Sequence, residues 1–308
     1  MKAPFTPDPR LTGIAIAYRN LMLIADAVLP RVAVGTDPFK YLVFNQADRF
    51  TLPDTRVGRK GRPNQVEFGA TEVEASTDDY GLESAVPQHD IDRAPEGYDP
   101  LGNATEGIMD LVLLDREVRA AALVFAAGSY PAAQRETLAG TDQWSDAANS
   151  TPIDDISDAL DVPIMRPNVM VLGQRTATVL RRHPQIVKSF NGTSGEAGIV
   201  PTSFLAEVFE LEEVLVGKAF VNTAKPGQAP TFTRAWGNHC ALIHRNRLAN
   251  TQQGVTFGLT AEFGTRLAGS AEDRNIGLRG GQMVRAGESV KELVVAADAG
   301  YFFEDAVA

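Results

Sequence analysis

Residues 102–127, GNATEGIMDLVLLDREVRAAALVFAA, decide the reading of this chain. Ile108, Leu111, Val112, Val118, Ala122 and Phe125 fall near helical spacing and predict one apolar stripe, interrupted at Asp115. Glu106, Asp110, Arg116, Glu117 and Arg119 are expected mostly off that stripe. At about 1.5 Å per residue the helix is roughly 40 Å long. Gly128 and Pro131 stop it. A helix of that length suits the backbone of an extended subunit.

Upstream of it, Pro4, Pro7 and Pro9 predict an extended arm over residues 1–12. A helix is expected over 13–29, on Ile14, Tyr18, Leu21 and Val28, with Pro30 as its stop. Residues 39–50 and 65–74 read as two strands around a turn-rich tip at 52–64 that holds Pro53, Gly58, Gly61 and Pro63. This excursion has few large apolar residues. A lone hairpin is marginal in water, so something else must cover it.

Its charge is uneven. Arg49, Arg56, Arg59, Lys60 and Arg62 stand against Asp54 alone, a net +4 over 49–62. Glu72, Glu74, Asp78, Asp79, Glu83, Asp90, Asp92, Glu96 and Asp99 stand against Arg93 alone, a net −8 over 72–99. A basic tip held away from an acidic base can pair with a neighbouring copy, because complementary patches steer association. Two solvated faces remain the other reading of the same pattern.

Beyond the long helix, strands and helices alternate. Short helices are expected over 153–160, 174–182 and 201–209, and strands over 168–173, 214–221 and 240–244. From Val255 the character turns to β. The alternation argues for a compact α/β or α+β unit joined to an extended part.

Composition excludes several classes. The chain has 308 residues, 44% hydrophobic and 22% charged, which is ordinary globular usage. The formal net charge is −10, so a global basic surface for nucleic acid is absent. Cys240 is the single cysteine, which leaves no internal disulfide and no cysteine cluster for zinc. The Pro-rich start does not read as a signal peptide. Arg19, Asn20, Asp26 and Arg31 interrupt the most apolar early stretch, so it is not a membrane span.

The sequence carries no catalytic pattern. No phosphate loop or dinucleotide fingerprint stands in the sequence. Ser194 lacks the spacing of a nucleophile elbow and reads as a loop serine. His239 and His244 are expected on opposite faces of a strand, which opposes chelation of one metal. His183 reads as a helix C-terminal residue. Asp90 and Asp92 share one side of a stretch expected to be extended. They are weighed as an acid–base pair or cation holder against solvated charges. No catalytic residue, cofactor or metal is assigned.

The order of elements, and seven strings, resemble the major capsid proteins of tailed bacteriophages. The strings are TGIAIAYRN, FTLPDTRVGRKGRPNQVEF, DYGLESAVPQHDIDRAP, TEGIMDLVLLDREVRAA, FELEEVLVGKAFVNTAK, WGNHCALIHRN and GLRGGQMVRAGESVKELV, spread over roughly 12–305. The resemblance implies an α+β capsid fold: an N-terminal arm (1–37), an E-loop hairpin (38–82), a peripheral domain (83–150 and 255–298) with a spine helix near 102–128, and an axial domain (151–254 and 299–308).

It also implies self-assembly into hexamers and pentamers that form an icosahedral head around double-stranded DNA, without sequence-specific binding, and no enzymatic activity. The protein is then a virion component assembled in the bacterial cytoplasm. Scaffold, portal and decoration proteins are the possible partners, and no membrane is involved. The short arm favours a separate scaffold or a trimmed chain. Candidates for contact between subunits are Arg56, Arg59, Lys60, Arg62, Glu72, Glu74, Asp78, Asp79, Asp90 and Asp92. Lys60 lies in the E-loop, but no Asn and Glu partners for a covalent crosslink can be placed. The alternative within the fold is an encapsulin-like nanocompartment shell. A hydrolase using Asp90, Asp92 or Ser194 is the alternative of another class.

Overall fold

The structure, a computed structural model, describes residues 5–44, 50–66, 69–192 and 195–308. Arg49, Phe68 and Ser194 lie outside the described residues. The chain begins with α1 (Pro9–Ala17) and α2 (Ala25–Val28). Strands β1 (Arg31–Val34), β2 (Phe39–Phe44), β3 (Ala70–Ala75) and β4 (Asp78–Pro87) follow. Next come α3 (Gln88–Asp92), the long α4 (Pro100–Val124) and β5 (Arg135–Thr137).

The middle of the chain holds α5 (Pro152–Asp161), β6 (Val169–Gly173), α6 (Gln174–Leu180), α7 (Pro184–Asn191) and α8 (Thr202–Val208). Then come β7 (Glu213–Gly217), β8 (Phe220–Asn222), β9 (Phe232–Arg234) and β10 (Cys240–Ile243). The chain closes with β11 (Gly258–Phe263), β12 (Leu267–Asp273), β13 (Gly281–Val294) and β14 (Gly300–Glu304).

The arm departs from expectation. Pro9 starts a helix instead of holding the chain extended. It occupies the first turn, where its missing N–H costs nothing, and the Asp8 carboxylate caps the turn by accepting the Arg10 N–H at 2.8 Å. The single helix expected over 13–29 is two. Arg266 takes the carbonyls of Ala15 and Tyr18 at 3.2 and 3.1 Å, which satisfies the end of α1 and releases the chain into a turn before α2.

The long helix runs from Pro100 to Val124 and starts on an Asp99 cap. Its buried face follows the expected stripe only in part: Ile108 and Val112 keep to it, and Leu111 and Ala122 do not. Ile108, Met109, Val112, Leu113, Ala120, Ala121 and Val124 point inward together with Arg116 and Glu117, while Leu111 is 56% exposed. The two charged residues lie inside because the arm and sheet supply their partners.

Two sheets flank this helix. In the first, β13 pairs with β4 from Gly281 to Val290. On its other edge β12 and β11 lie end to end, and β1 adds in parallel to β11. The front of α4 packs with Leu11 and Ala15 of α1 against Ala268, Val284 and Ala286 of this sheet. The second sheet has the order β5–β14–β10–β6–β7. Its central strands β6 and β10 are buried throughout, as continuous apolar runs predict for strands covered on both faces.

One face of this second sheet, with Met170, Leu172, Leu242 and Phe303, packs on Ile156, Ala159 and Leu160 of α5. The other face, with Val169, Val171, Leu215, Ile243 and Phe302, meets Ala120, Ala121 and Val124 of α4 and Trp236. The expected strand over 214–221 is therefore two strands: β7 belongs to the sheet, and β8 leaves it to form a separate hairpin with β9. Gly217 sits at that departure. A Cβ on it would lie 2.1 Å from the Trp236 ring.

Candidate inter-subunit surfaces

The hairpin between β2 and β3 runs in register from Phe39 opposite Ala75 to Phe44 opposite Ala70. Only its base is packed. Phe39 and Tyr41 bury themselves against Leu259, Ala261 and Val295, and the Leu42 N–H donates to the Thr251 carbonyl at 2.9 Å. Beyond the paired strands the described residues 51–66 carry no strand or helix. A Gly58–Gly61 backbone bond at 2.8 Å and an Asn64 side-chain bond to the Asp54 carbonyl at 2.8 Å shape the tip. Phe50, Leu52, Val57 and Val66 stand in solvent, Leu52 at 89% exposure. Arg56, Arg59, Lys60 and Arg62 are exposed and form no ion pair among the described residues.

The acidic candidates divide into two groups. Three are engaged within the subunit: Glu72 with Lys40 at 2.9 Å, Asp78 with Lys291 at 2.9 Å, and Asp79 with the Ser289 hydroxyl. Their neighbour Glu83 likewise takes Arg285 at 2.7 Å. Part of the acidic stretch is therefore paired within its own chain, because β4 runs beside β13, whose basic residues sequence inspection did not place there. Glu74 reaches Lys40 only at 4.0 Å. Asp90 and Asp92 lie on the helical turn α3 rather than on an extended stretch, because Pro87 ends β4 and opens that turn. Both are exposed; Asp92 accepts from Gln88 at 2.8 Å, and Asp90 lies 3.5 Å from His89.

The other sequence candidates are structural. His183 does not end a helix. It caps the start of α7, its Nδ1 3.3 Å from the Gln185 N–H, and Ser150 Oγ lies 3.2 Å from its Nε2. Burial pushes its pKa below the usual histidine value. Cys240 is fully buried, which raises its thiol well above the ordinary range. Among the described residues no cluster of three His, Cys, Asp or Glu side chains suits a metal. None of their helices is long and apolar enough to cross a membrane.

Sequence reading missed a cluster of charges where arm, long helix and first sheet meet. Arg31 bonds Asp26 at 2.7 Å, Glu262 at 3.1 Å and Glu288 at 2.9 Å. Arg266 joins Glu288 at 3.0 Å, and Arg119 joins Glu292 at 3.1 Å. Arg116 pairs with Asp26 and donates to Thr260 Oγ1 at 2.9 Å. Burial pulls the Asp26 carboxyl upward, yet the Arg116 and Arg31 guanidinium groups outweigh it and hold the pKa below the usual range. The same contest, won by Arg31 and Arg266, lowers Glu288.

Glu117 links the cluster to the second sheet. It accepts the Ile24 and Ala25 N–H groups at 2.9 and 2.7 Å and the Trp236 indole N–H at 2.6 Å. Burial raises its pKa against those three bonds. The only sequence signal for this cluster is a pair of charges, Arg116 and Glu117, set among apolar helical positions.

The subunit thus has a packed body with a charged internal clamp and an exposed, cationic, partly apolar excursion. No family model matches the sequence. The chain is 60% identical over 306 residues, 99% of both proteins, to the major capsid protein of Pseudomonas phage JBD67. A crystal structure of a phage-related protein from Bordetella bronchiseptica RB50 overlays with a TM-score of 0.77 at 23% identity, covering 99% of this chain and 98% of that one. The encapsulin SrpI of Synechococcus elongatus PCC 7942 overlays with a TM-score of 0.54 at 11% identity, covering 98% and 96%. That likeness concerns the fold, which phage heads and encapsulins share. The full-length 60% identity is specific, and with it the chain belongs to the major capsid proteins of tailed bacteriophages.

Proposed function

We propose that the protein builds the icosahedral head of a phage, assembling into hexamers and pentamers around double-stranded DNA, and that it performs no catalysis. The observation that carries this reading is the excursion at 50–66. It exposes four cations and four large apolar side chains with no strand partner of its own. A neighbouring copy supplies the cover that a marginal hairpin needs. Arg56, Arg59, Lys60 and Arg62 then meet carboxylates of another subunit. Glu74, Asp79, Asp90 and Asp92 are the strongest of the acidic candidates, because Glu72 and Asp78 already pair closely with lysines of their own chain.

The domain division follows the same reading: arm 1–37, E-loop 38–82, peripheral domain 83–150 with 255–298, and axial domain 151–254 with 299–308. Scaffold, portal and decoration proteins are the accessory partners. Assembly takes place in the bacterial cytoplasm, and the product is the virion. Net charge −10 suits a lining along which packaged DNA slides.

Electron microscopy of the purified chain, expressed alone and with its neighbouring genes, tests the reading. Closed shells or capsomer rings are expected. A homogeneous monomer under both conditions overturns it. Shells loaded with a cellular enzyme in place of DNA would transfer the protein to the nanocompartment class.

A further inference from the structure

Two exposed surfaces flank the second sheet, and neither the excursion nor the internal clamp uses them. The chain holds no Asp or Glu from residue 214 to 261, although it has 39 such residues in all. Five cations fall in that interval. Arg245 and Arg247 are spoken for by Glu212 and Glu213. The remaining three, Lys218, Lys225 and Arg234, belong to the β8–β9 hairpin and its approach. All three are exposed and form no ion pair among the described residues.

The hairpin is also apolar on one side. Phe220 pairs with Arg234 and Asn222 with Phe232, so the two rings and Arg234 share one face. Phe220 and Phe232 are 50% and 66% exposed, and the Arg234 guanidinium lies over the Phe220 ring at 4.4 Å. A duplex backbone would satisfy the cations and leave the rings in water. The face therefore fits a partner that is acidic and apolar at once.

The other end of the same unit has that chemistry. Helix α5 buries Ile156, Ala159 and Leu160 and turns Asp154 and Asp158, four residues apart, to solvent. Neither aspartate has an ion pair among the described residues. The chain just beyond the helix exposes Val162 and Ile164, at 47% and 58%.

The two surfaces cannot meet within one copy. Helix α5 packs on the sheet face of Met170 and Leu172, whereas the hairpin's base, at Ala235 and Trp236, packs on the face of Val169 and Val171. Opposite charge on opposite faces of one slab is the pattern of a head-to-tail contact, and a head-to-tail contact that closes makes a ring.

We propose that the β8–β9 hairpin of one copy docks on the acidic and apolar end of α5 of the next copy, linking successive subunits around each capsomer. The inference rests on the shell reading above. Asp154 and Asp158 receive Lys218, Lys225 and Arg234, and Val162 and Ile164 cover the two rings.

A charge exchange tests it in the full-length chain. The variant K218E/K225E/R234E is expected to raise the concentration needed for assembly about tenfold, as like charges now face each other. D154K/D158K is expected to do the same. The combined five-site variant is expected to recover assembly, which a folding defect could not produce. A second readout uses F232C/I164C, with Cys240 buried and inert. A bismaleimide reagent is expected to give a ladder of linked subunits in assembled particles.

Normal assembly of both charge variants overturns the inference and leaves the shell reading intact, as does failure of the five-site variant to recover or the absence of a ladder. Shells that form normally but hold less DNA would assign the hairpin to nucleic acid instead. Failure of the wild-type chain to form any shell removes the reading and the inference together.

Discussion

At Glu117 a single buried carboxylate accepts three N–H groups from two separate parts of the chain, the arm at Ile24 and Ala25 and the segment before β10 at Trp236. Removing it leaves three donors without that acceptor, two of them buried and the Ile24 N–H half-buried. Each such donor costs on the order of 1–3 kcal/mol, so Glu117→Ala is expected to destabilise the subunit by about 3 kcal/mol or more. Urea unfolding followed by tryptophan fluorescence reads this directly, and an unchanged midpoint would deny Glu117 the role of clamp. Gly217 makes the second prediction. Its Cβ would strike the Trp236 ring, and overpacking of this kind costs roughly 1–3 kcal/mol. Gly217→Ala is therefore expected to lower the midpoint and shift the emission of the displaced indole.

The charge cluster gives a pH dependence with a defined sign. Asp26 and Glu288 titrate lower in the folded chain than their ordinary values of 3.8 and 4.5. Their contribution is complete above those values. It is lost as pH falls through them toward the lower native values, because the unfolded chain binds protons first. Glu117, raised by burial, runs the other way and offsets part of the loss. The urea midpoint is expected to drop between pH 6 and pH 3, and the drop is expected to shrink in D26N/E288Q. An equal drop in that variant would place the acid sensitivity elsewhere.

At the scale of elements, the excursion and the body are energetically separate. Residues 50–66 bury little, and β2 and β3 hold their base through Phe39 and Tyr41. Replacing 50–66 by a short Gly-Ser turn is expected to leave the thermal midpoint of the subunit within about 3 °C, since most exposed substitutions cost under roughly 0.5 kcal/mol. The same deletion is expected to abolish shells. Loss of folding would mean that the excursion supports the body, contrary to the packing described.

The arm behaves differently. Leu11 and Ala15 are fully buried against α4 and the first sheet, so α1 is part of the core and not a loose tail. Pro9 shows why local composition misled there. A proline that forbids a helix interior favours a helix start, and the deciding feature is Asp8 one residue before it. The misphased stripe on α4 has a similar cause. Leu111 and Ala122 fit the period as well as Met109 and Ala121 do, and only the position of the neighbouring sheets selects between them.

For the whole molecule, hydrogen exchange offers a map of what assembly adds. Strands β6 and β10, buried on both faces, are expected to exchange slowly in the free subunit and in particles alike. Residues 50–66 are expected to exchange within seconds in the free subunit and to slow by at least about tenfold on assembly. Protection of 50–66 in the free subunit would contradict the proposal that a neighbour covers it.

The sequence by itself determined the fold class and several of the elements. The apolar run at 169–173, the helix around 108–124, the hairpin with its basic tip and the β-rich end are all written in local periodicity and turn residues. So was the family resemblance, which lies in short strings that survive in order along the chain. Only the tertiary structure decided which side of each element is buried and which charges are paired. Arg31 and Glu288 are 257 residues apart, and Lys291 meets Asp78 across 213. Nothing local encodes such pairs, because a charge reports its own identity and not its partner's position. The partner is fixed when β4 lies beside β13 and the arm folds under α4, and those placements follow from burial summed over the whole chain.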